Sequence, residues 1–144
     1  MSRLTKNNEE SLRLSKHKRL RAKKGQCYLN AFNVVQRFPE YVNATYVEGI
    51  AVSHHGLEFE HAWLEHNGEI IDPTIPCEDL AYFPGLRCEG EQGIAERLAT
   101  TDTVRLPFFY SFGWGGRDLP SFREARRLAS ESVKQMIEQC SVVS

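Results

Sequence analysis

Within CYLNAFNVVQRF, Cys27, Ala31, Val34, Val35 and Phe38 fall at offsets of 0, 4, 7, 8 and 11. That is the spacing of one apolar helical face. Phe38-Pro39 ends the pattern, because a proline ring disfavours helical geometry in the residue before it. The spacing therefore predicts a helix of about 12 residues with Cys27 in its first turn. ATYVEGIAVS follows, rich in β-branched and aromatic residues and closed by His54-His55-Gly56, and reads as a largely buried strand. EFEHAWLE alternates, with Phe59, His61 and Trp63 on one face. Asn67-Gly68 is a strong hairpin signal, and EIID, closed by Pro73, is the return strand.

Beyond the hairpin the periodicity weakens. AYFPGLRCEG reads as an irregular strand and turn, and EQGIAERLAT as a short helix. RLPFFYSFGWGG packs five aromatics around Pro107 and three glycines; it is either a core strand with its turn or the rim of a substrate groove, to which Tyr110 and Trp114 would contribute along with Trp63. The last helix is clear. Ser121 and Glu124 have capping-box spacing, and Phe122, Ala125, Ala129, Val133, Met136, Ile137 and Cys140 trace its apolar stripe. The expected class is α+β: a small antiparallel sheet between an N-terminal and a C-terminal helix.

At 144 residues, 41% hydrophobic and 26% charged, the chain has room for one core. No apolar run approaches the ~20 residues that span a bilayer, and MSRLTKNNEE lacks the apolar stretch of a secretory signal, so a cytoplasmic protein is expected. Cys27, Cys77, Cys88 and Cys140 show no CxxC pair and no disulfide-scaffold density, which favours reduced thiols; Cys77, Cys88 and Cys140 read as structural. Charge divides the chain. Residues 1–24 hold nine Lys/Arg against two Glu, while the whole chain carries a net −1. The division suggests a basic, partly docked helical arm over 1–24 on an acidic domain over 25–144, with an anionic partner for the arm: nucleic acid, a membrane surface or an acidic protein. Leu12, Leu14 and Leu20 give the arm only a thin apolar stripe, and no aromatic precedes Tyr28 to stack on bases.

Three residues bear on chemistry. A thiol attacks as thiolate, and a helix N-terminus favours that anion through unpaired N–H groups and the positive end of the helix dipole. Cys27 sits at such a start, although alone it reads equally as a small apolar residue on a buried stripe. The hairpin adds the rest. A turn at Asn67-Gly68 sets Trp63 opposite Asp72, so Asp72 shares a face with Trp63 and His61. His61 and Asp72 become diagonal neighbours, ~7–8 Å apart at the backbone. A carboxylate holding one ring nitrogen leaves the other to exchange a proton with a thiol, the arrangement covalent acyl chemistry requires.

GQCYLNA, then YVEG, then HAWLEHNGEIIDPT, over roughly residues 25–75, resembles the Cys, His, Asp order of the transglutaminase-like and papain-like cysteine enzymes, particularly small bacterial and phage members. The resemblance implies Cys27 as nucleophile on a helix packed against an antiparallel sheet, with His61 and Asp72 on adjacent strands. Nothing matches the calcium sites of large transglutaminases, and no cofactor is implied. The Cys27 backbone N–H would be one oxyanion donor. Tyr46 and Gln26 compete for the second, and Asn30 either joins them or orders the helix start.

Three functions follow. The first is a thiol-dependent hydrolase or acyltransferase acting on a peptide, protein or small amide, with hydrolysis, deamidation and transfer all open. The second is a binding module on the same fold, guided by the arm. The third is a metal site from Cys27, His61 and Asp72, or from His54, His55 and His66; absent CxxC or HExxH spacing disfavours it.

Overall fold

The computed structural model describes residues 4–99 and 119–143 of the chain. Among these residues the fold is α+β, with four α-helices and one five-stranded sheet. In chain order the elements are β1 (Thr5–Lys6), α1 (Asn8–Ser15), α2 (Cys27–Arg37), a 3-10 turn at Pro39–Tyr41, β2 (Thr45–Ser53), β3 (Glu58–His66), β4 (Glu69–Ile71), β5 (Leu80–Glu89), α3 (Gly90–Ala99) and α4 (Pro120–Val143). The sheet runs β1-β4-β3-β2-β5. Only β1 pairs in parallel.

The β3–β4 hairpin turns through Asn67 (φ 51°) and Gly68 (φ 77°), the doubly positive backbone that the Asn-Gly pair favours. Its register sets Leu64 against Ile71, Glu65 against Ile70 and His66 against Glu69, as the turn predicts. β4 ends there. Residues 72–79 then carry the chain past β3 and β2 to β5 at the far edge.

AYFPGLRCEG is more regular than expected: it forms most of a ten-residue strand. A bulge absorbs its irregularity, since Glu48 pairs with Leu86 but Gly49 with Pro84, leaving Gly85 extra. A proline without an N–H suits such a break in the ladder.

α2 and α4 cover one face. Ala31, Val34, Val35, Leu64, Ile71, Phe83, Phe122, Ala125 and Ala129 form its core. Val47, Trp63 and Ile70 pack together on the other face, with Leu4 and Tyr82 against them.

Two expectations need correction. Ser121 and Glu124 form no capping box: α4 starts at Pro120, the Ser121 hydroxyl donates to the Gly85 carbonyl, and Glu124 pairs with Arg127. Ser121 lies past the helix start and so is not its cap, and its hydroxyl instead pins the helix to the bulge. The α4 stripe also runs out, because the helix outlasts the sheet beneath it, leaving Ile137 and Cys140 exposed.

The segment before residue 25 carries a short strand as well as a helix. β1 pairs with β4, Asn7 caps α1 by accepting the Glu10 N–H at 2.9 Å, and Leu14 and Leu20 are wholly buried. The thin leucine stripe supplies two anchors, Leu14 and Leu20, to the main core, while Leu4 packs on the other face.

Gly49 provides a test of this packing. A Cβ there would strike the Phe83 carbonyl oxygen and come within 2.8 Å of Trp63 Cη2, whereas at Gly68 it would meet nothing. Gly49→Ala is expected to destabilise the protein by about 2 kcal/mol or more. Gly68→Ala should cost only the left-handed backbone penalty of roughly 1–2 kcal/mol. Urea unfolding of the two variants measures both.

Candidate functional site

The first residue of α2 is Cys27. Its N-cap, Gln26, makes no side-chain hydrogen bond to the helix, and no acidic residue occupies the first turn. The positive end of the helix therefore remains available to an anion at this point. Cys27 is 8% exposed and belongs to the α2-side core, yet it also lines a cleft of about 740 Å³. On the β4 side, the described pairing of β3 stops at Leu64. The sheet edge is thus open beside His61, and Cys27, on the lining of the same cleft, lies close enough to influence the imidazole.

His61 and Asp72 are buried, and Nε2 lies 2.8 Å from Asp72 Oδ2. A carboxylate only accepts, so Nε2 carries a hydrogen and Nδ1 remains for Cys27. Burial alone would lower the His61 pKa; the hydrogen bond and charge of Asp72, with the influence of nearby Cys27, outweigh it and raise it from 6.5 to about 9. Burial works the other way on Asp72, but the His61 hydrogen bond and charge, with the Ile75 amide and Tyr82 hydroxyl, hold its carboxyl below the usual range. The two shifts run in opposite directions, as they must where each group stabilises the other's charged form.

Asp72 is a hub. Oδ1 accepts the Thr74 and Ile75 amides at 3.1 and 3.0 Å, turning the chain into the cleft wall. Oδ2 accepts His61 and, at 2.7 Å, the Tyr82 hydroxyl. The Asp72 N–H donates to the buried Ser11 hydroxyl at 2.9 Å. Tyr82 and Ser11 were not legible in the sequence. Tyr82 reaches the site through the β2–β5 pairing, which no local pattern encodes, and Ser11 lies in a segment whose charge suggested solvent. The Asp-Pro end of the hairpin was the one available signal that Asp72 would need partners.

The other candidates fall in different places. Both Asn30 Nδ2 hydrogens are engaged, donating to Lys23 O at 2.8 Å and Thr74 Oγ1 at 2.9 Å, while Oδ1 accepts the Lys23 N–H. Asn30 thus ties the two cleft walls together and is committed away from an oxyanion. Gln26 is exposed and off the cleft lining. Tyr46 is buried with its hydroxyl 2.7 Å from Glu48 Oε2, so its proton is directed to that carboxylate. Trp63 is no groove residue: it is fully buried beside Tyr82, ring centroids 4.9 Å apart, because its strand position faces the smaller cluster. Tyr110 and Trp114 lie outside the described residues.

Of the remaining cysteines, Cys88 is buried, but Cys77 and Cys140 are exposed, and Cys77 sits on the cleft wall. A structural role fits Cys88 alone of the three. His54 and His55 lie side by side in their turn, ring centroids 3.8 Å apart and tilted by 42°, while His66 lies against Tyr41. Among the described residues, no group of three or more His, Cys, Asp or Glu side chains is placed to hold a metal ion, and no helix is long and apolar enough to cross a membrane.

The raised His61 pKa makes a signed prediction. Its contribution to stability is full below 6.5 and is lost as pH rises through about 9. The stability difference between the unaltered protein and His61→Gln should therefore shrink between those two values. The imidazole NMR resonances should titrate near 9, and in Asp72→Asn, where burial is left to act, well below that.

Comparison of the chain with protein-family models, with characterised proteins and with solved structures gives no match.

Proposed function

We propose that the protein is a thiol-dependent hydrolase or acyltransferase, acting on an amide or related acyl bond through Cys27, His61 and Asp72 on a papain-like or transglutaminase-like core. The carrying observation is the buried 2.8 Å His61–Asp72 bond with Cys27 lining the same cleft, near enough to influence the ring. In this reading Cys27 Sγ attacks the acyl carbon while its proton rests on His61. The S–C bond forms, His61 passes the proton to the departing amine or alkoxide, and a thioester remains. Water or an amine then attacks the thioester, gives its proton to His61 and releases the thiol. Asp72 fixes the ring and stabilises the imidazolium. The Cys27 N–H at the helix start serves the oxyanion.

A second reading keeps the site silent and makes the protein a binding module. Exposed Lys16, Lys18, Arg19, Arg21, Lys23 and Lys24 favour it, forming a basic surface in which Lys23 and Lys24 reach the cleft. Such binding would weaken steeply with salt and survive Cys27→Ala.

Alkylation separates the two. In the catalytic reading iodoacetamide near neutral pH modifies Cys27 faster than the exposed Cys77 and Cys140 despite its burial. His61→Ala removes that advantage, by roughly 100-fold or more if the ring acts as the base. Peptide mapping of the modified thiols gives the order; a Cys27 slower than Cys77 sinks the catalytic reading.

A further inference from the structure

Lys6 belongs to the segment whose charge suggested an anionic partner, yet its ammonium points inward. Nζ donates to the Ile75 carbonyl at 2.6 Å and to the Glu78 carbonyl at 2.7 Å. These two oxygens bracket Pro76 and Cys77 on the cleft wall. The wall is neither helix nor strand, so no ladder fixes its backbone, and Pro76 has no N–H to contribute. Its near end is held by Asp72, whose Oδ1 takes the Thr74 and Ile75 amides, and by Asn30 on Thr74. Its far end is held by Lys6. The anchor is firm, because Lys6 pairs with Ile70 in the sheet and its ammonium lies 5.6 Å from the Tyr82 ring centre. An ammonium has three donors, enough to take two carbonyls at once.

The clamped stretch presents Ile75 and Pro76 to the cleft, with Phe59 also lining it. We propose that Lys6 is a positioning residue that holds Ile75 and Pro76 beside Cys27, forming with Phe59 an apolar subsite for a substrate side chain next to the acyl carbon. This rests on the acyl-transfer reading. The segment before residue 25 then shapes the substrate site instead of trailing from it.

The test uses the full chain with Lys6→Met, which keeps the stem and removes the donors, Lys6→Arg, which restores donors, and Ile75→Ala, which trims the subsite and leaves the clamp. Cys27 is titrated with tosyl-phenylalanine chloromethyl ketone, tosyl-lysine chloromethyl ketone and iodoacetamide, and amide exchange is followed over residues 75–79. The unaltered protein should favour the phenylalanine reagent. Lys6→Met should speed exchange in 75–79 and raise KI for that reagent about fivefold or more, with kinact within about twofold. Its iodoacetamide rate should stay unchanged, and Lys6→Arg should recover most of the KI. Ile75→Ala should raise KI alike without faster exchange. Unchanged KI in Lys6→Met or in Ile75→Ala, or equal loss of kinact, overturns the proposal while leaving the triad standing. If Cys27 of the unaltered protein takes neither ketone nor iodoacetamide in preference to Cys77, the acyl-transfer reading falls and the subsite with it.

Discussion

A buried carboxylate is tolerable only where its charge is answered, and Asp72 is wholly buried. Both oxygens accept two hydrogen bonds, from the Thr74 and Ile75 amides on one side and from His61 and Tyr82 on the other. Each of these bonds fixes something else. The amides turn the chain out of β4 into the cleft wall. His61 is held in one tautomer and orientation, and Tyr82 brings the far edge of the sheet to the same atom. Removing the carboxylate would therefore unseat the ring, the wall and a strand contact together.

This arrangement explains why much of the candidate site was legible and the rest was not. α2, β2, β3 and the Asn67-Gly68 turn are set by local spacing, and a hairpin register follows from its turn. So His61 and Asp72 could be placed on one face before any long-range pairing was known. Local patterns do not encode which strand lies on the other side of β2, so Tyr82 was invisible. The same limit hid Ser11, Leu14 and Leu20, whose burial depends on packing against elements distant in sequence. Strand alternation put Trp63 on the face of His61 correctly, but could not reveal that Tyr82, Val47 and Ile70 would close over it. The bulge at Gly85 and the Ser121 contact that replaces the capping box arise from β5 meeting α4, which are distant in sequence.

Cleft and triad share their parts. Asn30, nearly one turn after Cys27, ties Lys23 on one wall to Thr74 on the other. Lys6 closes the second wall from behind the sheet. Positive charge that reads as a tail in the sequence thus divides into an inward part, Lys6, and an outward part over residues 16–24. The proposed acyl-transfer centre and an anionic contact surface would share one cleft, which Lys23 and Lys24 border.

The central claim is that Cys27 becomes acylated with His61 as its proton partner. The most direct measurement is mass spectrometry of the intact and digested protein after brief exposure to p-nitrophenyl acetate, compared with His61→Ala and Cys27→Ala. One acetyl group is expected as a thioester on Cys27, formed in a burst, reversed by hydroxylamine and absent from both variants. Acetylation confined to Cys77, Cys140 and lysines, or acetylation of Cys27 at the same rate without His61, would contradict it.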